Sequence, residues 1–155
     1  MTRSEKAVEL FLNGCNCAQA VFVAFCDTFG MDEALALRIS SSFGGGIGRQ
    51  REVCGAVSGM CMALGALYGY DDVADPEKKA EHYARVQALC GEFREMYGSI
   101  ICRELLGAKR ADDAPTPTPR NAEFYRTRPC ARFVGACADL LVRYIDGHPL
   151  KLGEN

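Results

Sequence analysis

Histidine is nearly missing from this chain: His82 and His148 are its only two, too few and too far apart to build a histidine-based metal site. His82 is expected on the exposed side of its helix. There is no HExxH, no G-x-S-x-G and no CxxC, so the sequence lacks the marks of a zinc peptidase, a nucleophile-elbow hydrolase or a thioredoxin-type exchange enzyme. An excess of charge is lacking too. A net charge of −2 gives no general pull toward nucleic acid or anionic membrane, and the short basic runs have no interleaved aromatic platform, so no nucleic-acid partner is expected. The opening MTRSEKAVELFLNG has Glu5, Lys6 and Glu9 where a signal peptide needs an unbroken apolar core. Residues 53–70 carry no charge and reach the roughly 18-residue length that flags a membrane span. Gly55, Gly59, Gly65 and Gly69 break up that run, and a central helix buried on all sides explains it better. The expectation is a cytoplasmic protein that is not membrane-embedded.

What is abundant is cysteine, with nine in 155 residues. An odd number in a chain expected in the reducing cytosol argues against a disulfide scaffold and for metal binding or thiol chemistry. Packing is the plain alternative, since a buried free cysteine behaves as a small hydrophobe.

The pattern is helix after helix, with no convincing alternating strand, and predicts one all-α domain over 1–155: an irregular multi-helix bundle with its core at about 4–147, a long proline-containing loop at 108–128 before the last helix, and a tail at 148–155. A short amphipathic helix over 4–12 stops at Asn13-Gly14. Asn16 caps a second helix from Cys17 to about Phe29, and Asp32 a third that runs into Gly44-Gly45-Gly46. A fourth, opening on Val-Cys-Gly-Ala-Val-Ser-Gly at 53–59, reaches about Tyr68. Gly55, Gly59 and Ala63 lie four apart on it, a bare stripe that lets another helix come close. Asp75-Pro76 starts a long helix to Tyr97, with an expected core row of Tyr83, Val86, Cys90, Phe93 and Tyr97. Ser99 caps a short helix ending at Gly107, and the final helix runs from Pro129 to Gly147. The loop at 108–128, containing PTPTP, has no periodicity and is either a lid or partner arm, or a bare connection.

Helical geometry sorts the cysteines. Cys54 and Cys61 are seven apart, as are Cys130 and Cys137. Seven residues of helix climb about 10.5 Å, whereas thiolates on one metal lie within about 4 Å of each other, each metal–sulfur bond being about 2.3 Å. One member of each pair is therefore structural, and Cys26, Cys61, Cys90 and Cys137 are assigned to packing. Cys17, Cys54, Cys102 and Cys130 share another address, the first turn of a helix. Free N–H groups and the positive end of the macrodipole favour a thiolate there and lower its pKa. Cys15, next to Cys17, is the reserve candidate.

Those residues carry a resemblance. Cys17 in NCAQAV, Cys54 in FGGGIGRQREVCGAVSGMCMALG, Cys102 in CRELLG and Cys130 in RPC resemble, across about 5–145, the C_GCAxxG_C_C family of redox-active proteins, which is marked by four cysteines and a CGAxxG element. The resemblance implies a small bacterial or archaeal protein with a redox role, often encoded near transporter genes, with no substrate implied.

Two versions of redox chemistry fit. Cys17, Cys54, Cys102 and Cys130 either ligate an iron–sulfur cluster or another thiophilic metal, or two of them cycle between dithiol and disulfide. The first version would suit an electron-transfer protein and either would suit an oxidoreductase. The partner would be a redox protein or a thiol substrate, or a transporter-associated protein. Arg49 and Arg51 are expected to lend positive charge on a flexible link near Cys54. FGGGIGRQ fails the dinucleotide pattern at Arg49 and has no P-loop lysine, so no nucleotide cofactor is expected. The alternatives are a metal or sulfur carrier without turnover, and a plain helical interaction domain.

Overall fold

Capping residues set most of the helix starts. The computed structural model describes residues 1–150, so the expected tail at 148–155 lies partly outside the described residues. Helix α1 (Arg3–Leu12) opens on a capping box between Thr2 and Glu5, and α2 (Cys17–Ala24) on one between Asn16 and Gln19, each side chain satisfying the other's backbone N–H. Asp32 caps α3 (Glu33–Ser40). Then come α4 (Gly55–Tyr68) and α5 (Pro76–Tyr97), the latter capped by Asp75. Helices α6 (Cys102–Leu106), α7 (Ala122–Thr127) and α8 (Cys130–Gly147) complete the fold. Among the described residues there is no sheet, only one antiparallel bridge between Val53 and Ile101, and no helix is long and apolar enough to cross a membrane.

The all-α reading of the sequence holds, with local differences. The second helix stops at Ala24 and tightens into a 3₁₀ turn, Cys26–Phe29, closed by left-handed Gly30. The third gives way at Ser40 to a 3₁₀ turn, Ser41–Phe43. Ile101, not Ser99, is the residue before α6; the Ser99 hydroxyl accepts from the Ile101 N–H at 2.9 Å instead. The stretch expected to be bare loop holds α7, capped by the Asn121 side chain at 3.0 Å from the Phe124 N–H. The expected core row on α5 holds at Val86, Cys90, Phe93 and Tyr97 and fails at its start: Tyr83 is 54% exposed, while His82 is 9% exposed and packs near Gly65 and Tyr70. Burial there lowers the His82 pKa.

The core forms where α2 crosses α4, against α8 and α1. Ala18, Val21, Val57, Met60, Ala63 and Leu64 are sealed in it. The crossing works because α4 presents its bare stripe. A Cβ on Gly59 would stand 2.6 Å from the Ala18 carbonyl oxygen, and one on Gly55 3.1 Å from the Cys17 Cβ. Close approach brings the start of α2 beside the start of α4.

Candidate functional site

The starts of α2, α4, α6 and α8 meet at one end of the bundle around a cavity of about 440 Å³. Its walls include Cys17, Cys54, Cys102 and Cys130 together with Arg49, Arg51, Arg120 and Arg128. Cys17, Cys102 and Cys130 are each the first residue of a helix, and Cys54 is the residue immediately before one.

Short-range devices hold each sulfur in place. The bridge at Val53 and Ile101 is extended by the Cys54 N–H donating to the Ile100 carbonyl (2.8 Å) and the Cys102 N–H donating to the Glu52 carbonyl (2.6 Å). That pairing draws Cys54 and Cys102 together across 48 residues of chain. The glycine-rich segment before Cys54 is no flexible link. It coils with left-handed backbone at Gly45, Gly46, Ile47, Gly48, Arg49 and Arg51 and is tied by N–H bonds from Gly48, Arg49, Arg51 and Glu52 back to residues 42–46. Left-handed geometry at three non-glycine residues is a strained arrangement. At Gly46 (φ 74°) a Cβ would meet the Glu52 nitrogen at 2.6 Å and the Cys102 Cβ at 2.8 Å, so only glycine admits Cys102 to the cavity.

The arginines anchor the proline-containing loop over this end. Arg49 donates to the Ala114 carbonyl and to Thr118 Oγ1 (2.9 Å), and lies 3.7 Å from the Asp112 carboxylate. Arg51 donates from Nε to the Asp112 carbonyl (2.8 Å) and from one terminal nitrogen to Cys102 Sγ (3.8 Å). Arg51 therefore reaches Cys102 rather than the neighbourhood of Cys54 that the sequence suggested. Pro115, Pro117 and Thr118 line the cavity, so the loop covers it. Arg120 stacks on Phe11 and Phe124, 4.3 and 4.7 Å from the ring centroids, and donates to the Phe11 and Cys15 carbonyls. Arg120 and Arg128, the two arginines that sequence reasoning did not select, sit in that loop and beside Cys130. Their only sequence signal is the RPC run at 128–130. Cys15 is not among the cavity walls.

The electrostatics correct the expectation that all four thiols would be acidic. Burial pushes Cys54 up to about 12, although the backbone N–H groups of Val57 and Ala56 favour its thiolate. Burial also raises Cys102 above the ordinary thiol range, against the pull of Arg51. A sulfur shut away from water loses more solvation than the helix terminus returns. Cys130 alone among the four moves down, to about 7. Cys17 is the main cause, and Arg128, Arg120 and Arg51 add positive charge. Cys17, as the proton-bearing partner in a buried place, is pushed well up. Cys17 and Cys130 thus titrate as a pair, Cys130 shifted down and Cys17 up, while burial shifts Cys54 and Cys102 up.

The order of the four cysteines along the chain leads to what a comparison with known proteins finds. The family described as "Putative redox-active protein (C_GCAxxG_C_C)" matches residues 15–144. The chain belongs to the C_GCAxxG_C_C family. No curated protein and no solved structure matches it. Redox activity is the coarse function that the family description attaches to this member, and its wording names no substrate, metal or partner.

The same geometry tests the donor set for a metal. Among the described residues, no three cysteine, histidine, aspartate or glutamate side chains gather closely enough to hold one ion. As oriented, Cys17, Cys54, Cys102 and Cys130 do not form a ready metal cage, and a shared metal or cluster would require them to turn. Outside the cavity, Cys61 on α4 and Cys90 on α5, assigned from sequence to separate packing positions, face each other with sulfurs 3.7 Å apart. Sequence gave no sign of this pair because it depends on how α5 lies against α4.

Proposed function

We propose that this C_GCAxxG_C_C protein works by dithiol–disulfide exchange, with Cys130 as the attacking thiolate and Cys17 as the resolving thiol. One observation carries the reading: Cys17 and Cys130 each open a helix in the wall of one cavity that Arg51, Arg120 and Arg128 also line, and of its four thiols Cys130 alone is shifted down, by Cys17 and by arginine charge. Arginines also give the low-pKa, electropositive setting in which cysteines react. Cys130 attacks one sulfur of a small disulfide RSSR; the S–S bond breaks, one RS⁻ leaves, and a mixed disulfide forms on Cys130. Cys17 then gives up its proton and attacks the Cys130 sulfur, expelling the second RS⁻ and leaving a Cys17–Cys130 disulfide. Two protein thiols are oxidised, RSSR is reduced to two RSH, and the reverse sequence reduces the protein again.

Purification under argon, titration with oxidised and reduced dithiothreitol, and peptide mapping test this. The expected result is a reversible mass loss of two hydrogens that maps to Cys17 and Cys130. Stoichiometric iron with acid-labile sulfide and visible absorbance in the anaerobic protein would instead support the cluster version. Bound metal without a thiol couple would support a carrier. Either of those results, or a disulfide mapping elsewhere in the cavity, overturns the assignment.

A further inference from the structure

Arg51 is buried, only 3% exposed, and its guanidinium is incompletely satisfied. Nε donates to Asp112 and one terminal nitrogen to Cys102, while the other terminal nitrogen, Nη2, has no partner among the described residues. A buried cation with an idle donor is costly unless something anionic completes it. The neighbouring arginines are engaged elsewhere: Arg49 on Ala114, Thr118 and Asp112, Arg120 on Phe11 and Cys15, and Arg128 over the Phe124 ring with a 3.4 Å bond to Thr118. Not one aspartate or glutamate lines the cavity, against four arginines. Asp112 gives Arg51 a hydrogen bond through its backbone carbonyl, and its carboxylate lies 3.7 Å from Arg49.

We infer that the cavity selects a small anionic substrate, a low-molecular-weight disulfide or thiol bearing a carboxylate, which Arg51 receives beside the Cys17–Cys130 pair. This deepens the dithiol reading and rests on it for the sulfur half of the substrate. A cavity of about 440 Å³ suits a molecule of that size, and guanidinium is the side chain best shaped to take a carboxylate.

The experiment compares oxidation of the reduced protein by bis(2-carboxyethyl) disulfide, neutral bis(2-hydroxyethyl) disulfide and cationic cystamine, each rate divided by its rate with a free small thiolate. Expected is a preference of tenfold or more for the anionic disulfide over the neutral one, greater over the cationic one, and lost in Arg51→Gln. Glutarate, which has no sulfur, should protect Cys130 from iodoacetamide in the wild-type protein where its diamide does not. Equal normalised rates with no glutarate protection overturn the anion site while leaving the dithiol reading intact. Glutarate protection with no Cys17–Cys130 disulfide from any reagent keeps the anion site and overturns the dithiol reading. Because the charge series and the protection assay use the unaltered chain, a poorly folding Arg51→Gln does not spoil the test.

A separate observation supports a second site. The geometry points to Cys61 and Cys90 as a further disulfide-forming pair, spanning α4 and α5. Their sulfurs, 3.7 Å apart, need a side-chain rotation to close to the roughly 2.05 Å of a disulfide. Cys61 is half-buried, and its thiol lowers Cys90 to about 7 while being raised itself. Diamide would accept the two hydrogens across its N=N bond as the S–S bond forms. Peptide mapping after one equivalent of diamide should find a Cys61–Cys90 disulfide that dithiothreitol reverses. If both residues remain fully alkylatable under denaturing conditions after treatment, the pair is mere packing.

Discussion

Cys130→Ser is expected to eliminate the disulfide at Cys17 and to leave Cys54 and Cys102, both raised by burial, unreactive toward iodoacetamide at neutral pH. Relative to Cys54, held at about 12, Cys130 at about 7 has a thiolate fraction higher by roughly 50,000-fold at pH 7, by the ordinary tenfold per pKa unit. The more acidic thiolate is the weaker nucleophile, and a Brønsted slope of about 0.45 over five units returns about 200-fold of that advantage. A net preference of roughly 300-fold remains, before access is considered. Residue-resolved alkylation checks it. The pH profile has a definite sign: the Cys130 pKa is depressed, so its labelling rate is level above about pH 7 and falls about tenfold per unit below it. Cys17→Ala takes away the proton donor that supports the thiolate and should move this midpoint to higher pH. A profile unchanged in Cys17→Ala would refute the pairing of these two sulfurs.

A pair of glycine substitutions should move stability in opposite directions. The Gly59→Ala methyl would lie 2.6 Å from the Ala18 carbonyl oxygen and 3.2 Å from its Cα. These are backbone atoms of α2 that cannot turn away, so the helices must part. Overpacking of this kind costs about 1–3 kcal/mol, and the gain in helix propensity, at most about 1 kcal/mol, offsets only part of it. Melting should fall by about 2–4 °C for each kcal/mol lost in a chain of this length. Because α2 begins at Cys17 and α4 just after Cys54, the same displacement should slow Cys17–Cys130 disulfide formation. Gly91 lies within α5 with nothing inside 4 Å of the added methyl, so Gly91→Ala should stabilise by about 0.5–1 kcal/mol through propensity alone. Thermal melts of the two variants check both signs. A Gly59→Ala protein as stable as wild type would mean that α2 does not rest on this stripe.

Local rules reached far in this chain because its helix signals are local. Asn16, Asp32 and Asp75 are capping residues whose effect acts within one turn, so the helix starts they mark could be read directly. Where helices end was harder to read, as at Ala24 and Ser40, since tightening into 3₁₀ turns answers to packing. The core row of α5 holds at Val86, Cys90, Phe93 and Tyr97 and slips only at His82 and Tyr83, because a 22-residue helix with few buried positions has a weak apolar stripe near its start.

By itself the sequence determined an all-α chain of this family, with four cysteines each placed at or beside a helix start, since caps, glycine stops and residue order are properties of neighbours along the chain. Only the tertiary structure decided that Cys17 and Cys130 share one cavity and Cys61 lies against Cys90, that Arg51 reaches Cys102, and that the proline-containing loop covers the cavity. It also decided which thiol is acidic. A helix terminus acts on its own sulfur over a few ångströms, whereas burial and borrowed charge come from segments up to a hundred residues away, and at Cys54 and Cys102 burial prevails.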